Sequence, residues 1–148
     1  MLATIQHLRE IAQRCLSGEP LQGESARWLG SSLDKFLNQR APTIEDAMGI
    51  RSSRGGVPWW MEEAIRNRDR ALRALAGLYS GNQSVSAQAR RIYTLATRYA
   101  ASAWRFDQRL REPPPSYAGT PSEFLWRAFI SGAPMPIGER QLRNILAR

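Results

Sequence analysis

The chain holds one lysine, one histidine and one cysteine among its 148 residues, and each scarcity removes a class of chemistry. Lys35 lies in LDKF, outside any GxxxxGK[ST] arrangement, so nucleotide hydrolysis of the P-loop kind is excluded. A single cysteine, Cys15, allows neither an internal disulfide nor a cysteine-rich zinc site, which argues against a secreted disulfide scaffold and for a reducing compartment. His7 precedes it by about 12 Å of helix axis at ~1.5 Å per residue, too far for a Cys–His pair on one straight helix.

Long apolar runs are also missing. The longest candidate, FLWRAFI at 124–130, is broken by Arg127 and falls far short of the ~20 residues that cross a bilayer. MLATIQHLRE reaches Arg9 and Glu10 before any apolar run, so it lacks the uninterrupted core of a secretory signal. A cytoplasmic location is the expectation. No cofactor or metal site is expected either: the pairs Glu45–Asp46 and Glu62–Glu63 each open a helix, where the helix dipole alone favours acids. The chain is therefore not expected to be an enzyme, with a metal nuclease assembled from distant acids as the one alternative left open.

Five Trp, four Tyr and four Phe within 43% hydrophobic residues, at a mean hydropathy of -0.44, are what a folded chain carries. The length suits one domain spanning 1–148. No run of alternating β-branched residues is present, and the apolar spacing is helical throughout. The expected fold is all-α, a compact bundle of about five to six helices with a long central basic helix and helical-hairpin connections.

Within it the first part, 1–49, is a hairpin followed by a short turn. One helix runs from about Thr4 to Leu16 with Ile5, Leu8, Ile11, Ala12, Cys15 and Leu16 inward; a second from about Glu24 to Asn38 with Trp28, Leu29, Leu33, Phe36 and Leu37 on one side. Thr43 caps TIEDAMG and Gly49 closes it. After the loop IRSSRGGV, residues 58–112 form a basic hairpin of a helix from about Trp59 to Tyr79 and a long helix, capped by Ser84 or Ser86, that lasts until Pro113. Residues 120–148 form a C-terminal hairpin that TPSE opens as a capping box, Thr120 to Glu123.

The formal charge of +8 is concentrated in the middle of the chain. Residues 1–65 carry seven basic and eight acidic side chains, whereas residues 66–111 carry ten arginines against Asp69 and Asp107 only. Such asymmetry calls for an acidic partner. On the long helix, with Ile92, Ala96, Tyr99, Ala103, Phe106 and Leu110 facing the core, Arg91, Arg98, Arg105 and Arg109 fall on the far side as a stripe. Arg66, Arg70 and Arg73 share the outer face of the preceding helix with Trp59 and the acids Glu62 and Glu63, which dilute the charge there, and Arg51 and Arg54 stand in the loop between the halves. Arg68 is exceptional: it falls on the Leu72 and Leu75 side, so it is expected to be partly buried against an acid or at a contact between chains. Asp107 is expected to pair with Arg111 at i, i+4.

Planar, bidentate guanidinium groups suit phosphate oxygens. These nine arginines are thus the candidate nucleic-acid contacts, holding phosphate backbone without assigned sequence specificity. The competing expectation is a protein-interaction module in which the same face docks an acidic protein or a second copy of the chain, as a homo-oligomer. FLWRAFISG and PMPIGERQLRNIL have the outline of a helix-turn-helix, with Arg140, Gln141, Arg143 and Asn144 near the start of its second helix, but their connection is longer than that motif uses and the pair is expected to complete the core.

Overall fold

The computed structural model describes residues 2–52, 54–81 and 83–148, apart from the side chains of residues 2 and 3. It is all-helical, with no strand among the described residues, and no helix in it is long and apolar enough to cross a membrane. Its contacts group into two compact units, residues 1–59 and 60–148.

In the first unit, α1 (Leu2–Ser17), α2 (Gly23–Leu37) and α3 (Ile44–Met48) follow one another. Thr43 caps α3 as its sequence requires: its hydroxyl accepts from the Asp46 N–H at 3.1 Å and donates to the Asp46 carboxylate at 2.8 Å. Gly49 ends the helix at φ 70, a left-handed conformation that only glycine adopts without strain. α2 packs on α3, and His7 of α1 sets its ring edge-on to Trp28 of α2 at 5.4 Å, so the lone histidine has an aromatic partner rather than Cys15. The apolar faces are less covered than their spacing predicts. Ile5 and Ile11 are buried, but Ala12, Cys15 and Leu16 are exposed on α1, as are Leu33, Phe36 and Leu37 on α2.

The second unit is built on α4 (Trp59–Gly77, which starts at the last residue of the first unit), α5 (Val85–Ala101), α6 (Trp104–Asp107), a 3-10 turn at Pro115–Tyr117, α7 (Pro121–Ile130) and α8 (Glu139–Leu146). Its core joins Leu72 and Leu75 of α4, Ile92 and Tyr99 of α5, Leu125 and Trp126 of α7, and Leu142 and Ile145 of α8. Leu72, Leu75, Ile92 and Leu142 are fully buried, each such side chain contributing about 1.5–3 kcal/mol. Just past the end of α4, Leu78 is exposed while Tyr79 packs against the core. α5 packs most extensively along α8, whose two ends meet Arg90 of α5 and Arg73 of α4. Arg90 approaches Glu139 at 3.8 Å at the start of α8, and Arg73 donates from Nε to the Ile145 carbonyl at 3.0 Å near its end, where unpaired carbonyls attract a cation.

Two local expectations are corrected. Among the described residues eight α-helices replace the expected five to six, in part because the long basic helix does not run to Pro113: α5 stops at Ala101, Ser102 leaves helical geometry at φ -121 and ψ -90, and α6 starts afresh at Trp104. The Ser102 hydroxyl donates back to the Arg98 carbonyl at 2.7 Å. Second, Thr120 starts α7 without a side-chain cap. Its hydroxyl donates to the Tyr117 carbonyl, and Glu123 reaches one residue further back to accept from the Gly119 N–H at 2.7 Å. That N–H, helped by Arg127, holds the Glu123 carboxyl below its ordinary value.

Candidate nucleic-acid interface

The break after α5 decides the surface of the second unit. In an unbroken helix Asp107 would stand about 12 Å along the axis from Tyr99 at ~1.5 Å per residue. Here its carboxylate accepts from the Tyr99 hydroxyl at 2.7 Å and the Tyr117 hydroxyl at 2.9 Å, while its carbonyl accepts from Trp126 Nε1 at 3.2 Å. Asp107 is 7% exposed. The cluster ties α5, α6, the 3-10 turn and α7 together through one residue. Burial, and then the bond to the carboxylate, push the Tyr99 hydroxyl well above its ordinary pKa, and Tyr117 shifts the same way for the same reasons. The expected Asp107–Arg111 pair is thereby replaced: the carboxylate faces inward to two tyrosines and Arg111 is exposed.

The other acid of the basic segment is turned inward as well. Asp69 is 8% exposed and receives Nε and Nη2 of the buried Arg68 at 2.9 and 2.7 Å, and Arg68 also donates to the Pro134 carbonyl. The expectation for Arg68 is met, with its sequence neighbour as the acid. Residues 66–111 thus present nine exposed arginines, and both of their acids are buried.

The four-residue stripe is corrected in its geometry. Arg91 and Arg98 share one face of α5, about 10.5 Å apart along the axis at ~1.5 Å per residue. Arg105 belongs to α6 and Arg109 to the turn after it, so neither continues that line. All four are exposed; the Arg91 guanidinium lies 4.0 Å over the Tyr79 ring and the Arg105 guanidinium 5.6 Å over the Phe106 ring. Arg66 and Arg70 are exposed on α4, whereas Arg73 is engaged on α8. In the first unit Arg51 is neutralised by Asp46 at 2.7 Å and Arg54 is exposed.

Phe106 and Leu110, placed in the core by helical phase, are exposed because that phase is lost at Ser102. Near the C-terminus, Gln141 is spent on the Ile137 N–H at 3.2 Å, while Arg140, Arg143 and Asn144 are exposed on α8, which is eight residues long. Among the described residues no three His, Cys, Asp or Glu side chains gather where a metal ion would be held.

A groove of about 550 Å³ lies in the second unit between α5 and the segment joining α7 to α8, lined by Tyr93, Ala96, Ala100, Phe129, Met135 and Ile137 among others. No family model matches the chain, and neither curated proteins nor solved structures give a match.

Proposed function

We propose that the protein binds nucleic acid by its phosphate backbone, through the exposed arginines of the second unit. The observation that supports this most is the fate of the acids. A solvated basic helix normally intersperses carboxylates among its cations, and the segment 66–111 instead buries both of its own, Asp69 and Asp107, so that its exposed charges are all arginines, with Glu62, Glu63 and Glu112 at its borders. The contacts are Arg91 and Arg98 on α5, Arg105 and Arg109 beyond the break, and Arg66 and Arg70 on α4, with Arg73 restrained by Ile145 and Arg51 by Asp46. Phosphate contacts carry no base information, so this surface confers affinity without sequence preference.

The test is a salt titration of oligonucleotide binding. Each neutralised phosphate steepens the fall of log K with log salt by about 0.9 on duplex DNA. Replacing Arg91, Arg98, Arg105 and Arg109 by glutamine should flatten the slope by roughly 3 to 4 units and weaken all sequences alike. A protein that leaves DNA and RNA free at ~50 mM salt overturns the reading, and capture of an acidic protein under the same conditions would put an interaction module in its place.

A further inference from the structure

Phe106 stands exposed among arginines, with the Arg105 guanidinium 5.6 Å over its ring. Phe106 is 70% exposed, although burial of a side chain of its size is favourable. Its exposure follows from the turn it sits in. Around α6 the inward positions are Trp104, packed on Tyr99 and Phe129 at 6.2 and 5.3 Å, and Asp107. Taking Trp104 as zero and ~100° per residue, Arg105 and Phe106 follow at roughly 100° and 200°, an outward arc of α6, and Arg109 and Leu110 come just after the helix. All four are exposed, and so is Arg111. The acid of this segment, Asp107, is absent from the arc because two tyrosine hydroxyls hold it inside.

We infer that Phe106, flanked by Arg105, Arg109 and Arg111, is a stacking platform for an unpaired base, so that the nucleic acid this protein takes is single-stranded. The inference rests on the phosphate-binding reading and deepens it. The ring bears no polar atom, so it reads no base edge; it offers a flat face, and every base has one. In a duplex those faces are hidden in the stack, and only a splayed-out base reaches the ring. The arginines beside it supply the cations that hold the adjoining phosphates; Asp107 is turned inward, and the next acid along the chain, the exposed Glu112, lies beyond Arg111. An acidic protein would match the same charge, but the ring would then serve only as an apolar anchor.

The experiment measures binding of the full chain and of Phe106→Ala, Phe106→Leu and Phe106→Trp to a fluorescent single-stranded oligothymidine, to an abasic strand of equal length and to a duplex, at one salt concentration. Removing one stacked base contact should weaken the single strand by about five- to a hundredfold in the alanine variant. Leucine should fail to restore it, tryptophan should restore it, and the abasic strand and duplex should bind all variants alike. An unchanged single-strand affinity in Phe106→Ala, an equal loss on the duplex, or full rescue by leucine overturns the platform while leaving the arginine reading intact. Absence of binding to all three probes overturns both. The variants test binding rather than folding, since the ring contributes little buried area; unchanged thermal unfolding checks this.

Discussion

Arg68 and Asp69 form a buried ion pair between neighbours in sequence, and such pairs are costly to break from one side. Arg68→Met strands the Asp69 carboxylate in the core of the second unit and should cost about 3–5 kcal/mol in chemical denaturation. Adding Asp69→Leu should recover much of that loss, because both charges then leave together. Tyr99 makes a second prediction at this scale. Tyr99→Phe removes a hydrogen bond to a buried carboxylate and should cost about 1.5–3 kcal/mol. It should also change the alkaline limb of stability. The native state holds the Tyr99 hydroxyl neutral, chiefly by burial, while the unfolded chain ionises it near 10. The contribution is full below that pH and declines as pH rises above it. Denaturation at pH 8 to 11 should therefore show a smaller loss in Tyr99→Phe than in the parent.

At the scale of elements, what starts and stops the helices is local chemistry in some places and tertiary contact in others. Ser84 caps α5 by accepting from the Ala87 N–H at 3.2 Å, so Ser84→Ala should lower stability in thermal denaturation by about 0.5–2 kcal/mol. The end of α5 is different. Ala101 is followed by no glycine and no proline, and the chain leaves the helix where Asp107 gains two tyrosine hydroxyls and Trp126 gains the Asp107 carbonyl. The same break turns Phe106 outward and separates Arg105 and Arg109 from the line of Arg91 and Arg98.

For the whole molecule, the charge follows the division into units. Residues 60–148 hold fourteen arginines and seven acids, while residues 1–59 hold seven basic and six acidic side chains. A binding surface in the second unit therefore makes a directional prediction. Replacing Arg9, Arg14, Arg27 and Arg40 by glutamine removes as much charge as the variant at Arg91, Arg98, Arg105 and Arg109, but it should leave the salt slope of oligonucleotide binding nearly unchanged. Equal flattening in both variants would mean that net charge alone governs binding.

The sequence by itself determined that the chain is helical, where most helices lie, and that its positive charge is crowded into residues 66–111. These follow from short-range rules: apolar residues recurring with helical period, Thr43 and one of Ser84 or Ser86 at helix starts, Gly49 at a helix end. Even the burial of Arg68 was legible, since helical phase sets it beside Leu72 and Leu75. Only the tertiary structure decided how α5 ends and which way Asp107 faces. That choice depends on hydroxyls and an indole brought in by residues 8 to 19 positions away along the chain, and no periodicity within one helix encodes them. Once the break is made the helical phase beyond it is lost, so Phe106 and Leu110 moved from the expected core to the surface while the acid between them moved in. Burial against distant partners outweighed the regular helix, because a carboxylate taken out of water must find donors wherever the fold supplies them.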